Sequence, residues 1–165
     1  MPQSFEGKTS AKQVSVGIVA SRFNEEITQR LYSGCVDYFL QMGIPVSKII
    51  TVWVPGAFEI PFACNELLQT KKVDGVVALG AVIQGQTKHF DAIVQGVVQG
   101  VMDVQLNTRK PIAFGVLTTA TEKQALSRSG GNYGNKGEES GEVLLQLLDI
   151  KKQLNKKKSS KKTKK

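Results

Sequence analysis

Histidine is almost missing from this 165-residue sequence: the one copy is His89. Cysteine is nearly as scarce. Cys35 and Cys64 show no C-x-x-C spacing and no partnering histidine pair, which removes the ordinary zinc and dithiol redox motifs and leaves no metal site to expect. Two unpaired cysteines also suit a reducing compartment. No apolar run approaches the ~20 residues needed to span a bilayer, and Met1–Lys8 lacks the apolar segment of a signal peptide. A soluble cytoplasmic protein without membrane contact is the expectation. There is no G-x-x-x-x-G-K-[ST] and no G-x-G-x-x-G, so neither a Walker nucleotide site nor a Rossmann dinucleotide site is present. No repeat occurs at solenoid period.

Charge is plentiful but uneven. The formal net charge is +8, yet nine lysines and no acid fall between Lys151 and Lys165, so the preceding 150 residues carry −1. Nucleic-acid binding would therefore rest on the tail alone. Hydrophobic residues make up 41%, enough for one domain with a real core. The expected organisation is a polar arm over residues 1–12, a domain over 13–154, and a disordered, solubilising tail over 155–165. Many such tails on one particle would give weak multivalent attraction to RNA or acidic surfaces.

Strand-like and helix-like stretches alternate. Gln13–Ala20, Lys48–Val54, the run ending at Leu79, and Lys110–Leu117 are apolar and rich in β-branched residues, and read as strands. Helices are expected over Glu25–Met42 with Asn24 as cap, Phe58–Thr70 with Pro61 in its first turn, Phe90–Asn107, a short helix to Ser127 after the start signature Thr118–Glu122, and Glu138–Leu154. Such alternation predicts right-handed βαβ units and a parallel sheet covered on both faces. The predicted fold is α/β, a three-layer αβα sandwich with a four-stranded parallel sheet.

In that fold the carboxyl ends of all strands share one edge, where open α/β sheets place ligands. Four loops meet there: Ser21–Asn24, Pro55–Glu59, Ala81–Phe90 and Thr118–Arg128. They bring Phe23, Phe58, Glu59, several threonines, Arg22, Arg128 and His89. Histidine is the side chain whose unperturbed pKa lies near neutrality, so His89 is the first candidate for proton transfer. Glycines 56, 80 and 85 let backbone amides approach a ligand. Helix starts near Phe58, Phe90 and Thr121 point positive dipole ends at the same space, which favours an anion such as phosphate. Arg128 suits either a clamp on that phosphate or a cap on the carbonyl end of its own helix.

Ser21-Arg-Phe-Asn24, Val54-Pro-Gly-Ala-Phe-Glu-Ile-Pro61, the Gly80–Asp91 stretch, Pro111–Thr119, and Gln124-Ala125 through Arg128 to Asn135-Lys-Gly137 occur in order, and from about Val14 to Leu148 the chain resembles the 6,7-dimethyl-8-ribityllumazine synthases. The resemblance implies a flavodoxin-like strand order and condensation of 5-amino-6-(D-ribitylamino)uracil with 3,4-dihydroxy-2-butanone 4-phosphate, the penultimate step of riboflavin biosynthesis, with no cofactor. It implies that Phe23 stacks on the pyrimidine. Ala57, Phe58, Glu59, Ala81, Val82 and Ile83 would line the ribityl and pyrimidine pocket, and Phe114 would complete it from a neighbouring subunit. Gln86, Thr87 and Arg128 would hold the phosphate, with Lys136 nearby, and His89 would transfer protons. It further implies a homopentamer whose N-terminal arm adds a strand to the next subunit, and permits a sixty-subunit icosahedral shell because Glu138 follows Gly137 without an insertion. A member that assembles but lacks turnover, acting as a scaffold or flavin-binding shell, is the alternative function.

Overall fold

Every strand carries apolar side chains on both sides, so each face of the sheet must be covered. The computed structural model describes residues 2–11 and 13–162, the last six as backbone only; Met1 and Lys12 of the arm and residues 163–165 of the tail fall outside the described residues. The strands are β1 (Val16–Ser21), β2 (Ile49–Val54), β3 (Gly75–Ile83) and β4 (Ile112–Thr119). The helices between and after them are α1 (Glu25–Gln41), α2 (Ile60–Gln69), α3 (His89–Thr108), α4 (Glu122–Ser127) and α5 (Lys136–Lys162). The four strands pair in the order β2-β1-β3-β4, all parallel, with Val16 opposite both Ile49 and Gly75, and Val76 opposite Ile112. The expected α/β sandwich and strand order are therefore observed.

Alternation along the strands splits the core in two. Val16, Ile18, Ala20, Val77 and Leu79 pack with Ile27, Leu31, Cys35 and Phe39 of α1 and Leu144 and Leu145 of α5. Val19, Val76, Ala78 and Val116 face the other way, onto Ile60, Cys64, Leu67 and Leu68 of α2 and Val97 and Val101 of α3. Burying each large side chain in such a layer contributes about 1.5–3 kcal/mol. α1 and α5 approach so closely that a Cβ on Gly137 would run into the Leu31 carbonyl, which is why glycine stands there.

Two local features depart from expectation, and a third is a small element that strand and helix alternation does not foretell. Asn24 precedes α1 in a left-handed conformation (φ 56°), but its side chain makes no cap bond. Its amide instead donates to the Ala81 carbonyl at 2.9 Å; a tertiary partner outcompetes the local one. The Gly/Asn segment after Arg128 is a small hairpin, β5 (Ser129–Gly131) with β6 (Gly134–Asn135). Asn135 then caps α5, its Oδ1 accepting from Gly137 N at 2.9 Å, while its Nδ2 donates to the Arg30 carbonyl of α1 at 2.9 Å. Finally, α5 passes Leu154 and continues to Lys162, so the segment expected to be disordered from residue 155 carries helical backbone that far. Adding unbranched lysines to a helix already nucleated costs little.

The arm lies along α5 of its own chain. Lys8 N donates to Asp149 Oδ2 at 3.0 Å and Gln153 Nε2 donates to the Glu6 carbonyl at 2.8 Å. No helix among the described residues is long and apolar enough to cross a membrane.

Candidate functional site

The site is built by tying the first loops to one another at the carboxyl edge of the sheet. Arg22 N donates to the Val54 carbonyl (2.8 Å) and Phe23 N to the Pro55 carbonyl (3.1 Å), which fixes the turn after β1 against the turn after β2. The Asn24 bond to Ala81 adds the end of β3. β3 is longer than its buried run suggests, reaching Ile83, because it stays paired with β4 through Thr119. Gln84 N then donates to the Thr119 carbonyl at 2.9 Å, and the ladder ends.

Beyond it, the amides of Gly85, Gln86 and Thr87 make no hydrogen bond among the described residues. A Cβ on Gly85 would meet open space. The Thr87 hydroxyl accepts from His89 N at 3.3 Å, and α3 begins at His89, one residue before the expected start at Phe90. Three successive unpaired donors beside a helix N-terminus form a ready anion cradle.

A cavity of about 560 Å³ opens over this edge. Of the sequence-predicted residues it gathers Phe23, Ala57, Phe58, Glu59, Ala81, Val82, Ile83, Thr87 and His89. Residues Phe23 and Phe58 are 70% and 59% exposed, so neither is a core plug. Two exposed aromatic faces at one cavity suit a flat heterocycle better than they suit water. Phe58 lies against Gly96 of α3, where a Cβ would come within 2.7 Å of the ring. The Glu59 carboxylate turns back to accept from Gly56 N at 2.9 Å, so it stabilises its own turn as well as the wall. Phe90 and Ile93 also line the cavity. Sequence reasoning passed over them, although their spacing of three at the start of a helix places both on one face.

Other predicted residues are not brought to this cavity. Gln86 is exposed outside it. Phe114 sits in the middle of β4 and is 39% exposed. Lys136 pairs with Glu139 at the start of α5. Arg128 donates to the Gln124 carbonyl at 3.1 Å and to Ser127 Oγ at 3.3 Å, and its guanidinium lies 4.8 Å from the Tyr133 ring centre. Within one chain, then, Arg128 caps its own helix. The fourth loop, Thr118–Arg128, adds nothing to the cavity wall; its Thr121 and Gln124 form a reciprocal cap on α4 instead. Arg22 pairs with Glu25 at 2.9 Å and covers Trp53.

The two thiols are buried in the core. Burial pushes the Cys64 thiol up to about 12 and Cys35 higher still, so neither supplies a thiolate nucleophile near neutral pH.

With this geometry in hand, comparison with known proteins is specific. A family model described as 6,7-dimethyl-8-ribityllumazine synthase matches residues 13–152. A protein from Lactiplantibacillus plantarum named 6,7-dimethyl-8-ribityllumazine synthase is 46% identical over 147 residues, covering 89% of this chain and 92% of that relative.

Proposed function

Because this chain belongs to the 6,7-dimethyl-8-ribityllumazine synthase family, we infer that it condenses 5-amino-6-(D-ribitylamino)uracil with 3,4-dihydroxy-2-butanone 4-phosphate, giving 6,7-dimethyl-8-ribityllumazine, phosphate and water. It is a transferase of riboflavin biosynthesis. The observation that carries this reading into the structure is one cavity holding two exposed phenyl rings, an imidazole and a loop of unpaired backbone amides.

The pyrimidine stacks on Phe23, and its ribityl chain runs along Ala57, Phe58, Glu59 and Ala81–Ile83. The phosphate of the second substrate sits on the amides of Gly85–Thr87 and the Thr87 hydroxyl, with Gln86 at its margin. The amine of the uracil attacks the butanone carbonyl and water leaves as the imine forms. His89 moves the protons that this addition and the later elimination require. Phosphate departs toward the anion cradle at the start of α3, whose dipole and donors stabilise the growing charge. Ring closure then expels a second water. Holding both substrates in one enclosed geometry can supply as much as roughly 7–11 kcal/mol.

Among the described residues, no lysine or arginine lines this cavity within one chain, and phosphate departure calls for a cation there. Phe114, Arg128 and Lys136 all belong to the segment running from the open edge strand β4 to the start of α5. A neighbouring copy that presents this side to the cavity would supply the third aromatic ring and both cations together. The surface is suited to self-association: Val98, Met102 and Leu106 form an exposed apolar stripe on α3, near-continuous at helical spacing, and Phe62 is 71% exposed. The assembly we propose is the homopentamer, with the sixty-subunit shell permitted by the direct junction of Gly137 and Glu138. Native mass measurement separates the two.

The remaining expectations are proposed on the same footing: an arm over residues 1–12, a domain over 13–154, a lysine-rich extension from 155 that attracts RNA or acidic surfaces, and a cytoplasmic setting in keeping with two free thiols. The deciding experiment for function supplies both substrates to the purified protein and follows lumazine absorbance with phosphate release. Equal yields of both products are expected. Folded, assembled protein that forms neither would favour the scaffold reading.

A further inference from the structure

The edge of the sheet opposite the catalytic cavity carries a second kind of chemistry. There Asp74 precedes β3, Lys110 precedes β4, and α5 passes with Asp149, Lys151 and Lys152. Two open clefts of about 350 and 610 Å³ lie side by side and share Lys110 and Lys151 as a common wall. Arg109 lines the larger and Lys152 the smaller.

None of these four cations is in an ion pair. Among the described residues, ion pairs form at Arg22–Glu25, Arg30–Glu26 and Lys136–Glu139. The two acids of the clefts are already engaged by neutral donors. Asp74 Oδ2 accepts from Ser15 N at 2.8 Å, and Asp149 Oδ2 accepts from Lys8 N and from Gln153 Nε2 at 2.7 Å. Lys110 Nζ is anchored on the carbonyls of Leu68 (2.9 Å) and Val73 (3.0 Å), which leaves it one proton to donate into the cleft. Lys151 Nζ donates to the Arg109 carbonyl at 2.7 Å and keeps two. The Lys110 and Lys151 ammonium groups are thus held in place by neutral oxygens; Asp74 acts electrostatically on Lys151 and Asp149 on Lys152, and the four cations of the two clefts outnumber these two acids.

We propose that this ridge, together with the lysine-rich sequence that follows residue 155, binds the phosphodiester backbone of RNA. This rests on the reading of the extension as polyanion-binding and places part of the affinity in the folded body. The clefts contain no aromatic side chain, so there is no platform for stacked bases, and recognition is of phosphate charge without regard to sequence. A single strand can enter a concave cleft, whereas the plane of a bilayer meets only its rim. Burial, with the charge of Lys110 second, lowers the pKa of Lys151; a bound phosphate relieves that cost. Because the ridge lies at the amino edge of the sheet, occupancy leaves the catalytic cavity free.

The test titrates the full-length assembled protein with a labelled 20-nucleotide oligouridylate between 50 and 200 mM KCl. One variant carries Arg109→Gln, Lys151→Gln and Lys152→Gln; another carries glutamine at every lysine after residue 155. Three lost phosphate contacts should lower the salt slope by about 2 and weaken binding at least tenfold at 50 mM, with lumazine turnover unchanged. Lys152→Gln alone, at an exposed position, should lower the slope by about 0.7 and serves as the measure should the triple variant fold poorly. Wild-type affinity and slope in these body variants would overturn the inference. If only the tail variant loses binding, the tail reading stands and the ridge is not a site; if only the body variants lose it, the ridge stands without the tail. Tighter binding per phosphate to anionic phospholipid vesicles than to the oligonucleotide would also overturn it.

Discussion

The amide of His89 is bonded to the hydroxyl of Thr87 two residues earlier, at 3.3 Å. One contact therefore ties the first residue of α3 to the loop of free amides that precedes it.

Thr87→Ala should cost about 0.5–1.5 kcal/mol of local stability, the net worth of one hydrogen bond. Turnover should fall about tenfold or more, since ~1.4 kcal/mol of transition-state misplacement suffices for that. Thr87→Ser keeps the hydroxyl and should restore most of the rate. Steady-state kinetics with both substrates will tell; equal rates for the alanine and serine variants would remove the hydroxyl from the site.

His89→Ala and Arg128→Ala should each form pentamers and each turn over poorly. Co-expressed as mixed particles, they should recover activity, because a cavity with His89 from one chain can meet Arg128 from the next. Statistical mixing sets the yield. If mixed particles are as inactive as their parents, both residues serve the same chain's cavity or Arg128 has only its capping role.

Phe23→Ala and Phe58→Ala remove rings that are mostly exposed, so thermal unfolding should shift little. Each lost stacking partner, worth about 0.5–1.5 kcal/mol beyond area, should raise KM for the pyrimidine several-fold and leave KM for the phosphorylated substrate near its original value. A fall in melting temperature with unchanged KM would show a packing role instead.

The arm should be released by acid. The bond from the Lys8 backbone, then that from Gln153, lowers the pKa of Asp149 from its ordinary value. A carboxyl with a depressed folded pKa stabilises fully above the unfolded value, about 3.9, and loses that contribution as pH falls through the depressed one. Protection of the Lys8 amide against hydrogen exchange should therefore hold above about pH 4, weaken as pH falls further, and be lost once pH passes below the depressed pKa of Asp149. Asp149→Asn should remove the pH step.

Much of this protein is written locally. Runs such as Val76–Leu79 and the apolar spacing of Ile27, Leu31, Cys35 and Phe39 dictate strand and helix, because burial on two faces and on one face leave different periods. Parallel order follows from alternation, and with it the convergence of Phe23, Phe58 and His89 at one edge. Thr121 and Gln124 announce their reciprocal cap three residues apart.

Tertiary structure decided what local sequence leaves open. Asn24 abandons the cap its position offers for the Ala81 carbonyl, and Asn135, within a Gly/Asn-rich stretch, caps α5 and bonds α1. Arg128 suits a phosphate or a helix end equally well by position; within one chain its neighbours Gln124, Ser127 and Tyr133 take it. A side chain's partner depends on which distant groups the fold sets within about 3 Å of it, and that distance is a property of packing, which no short stretch of residues contains.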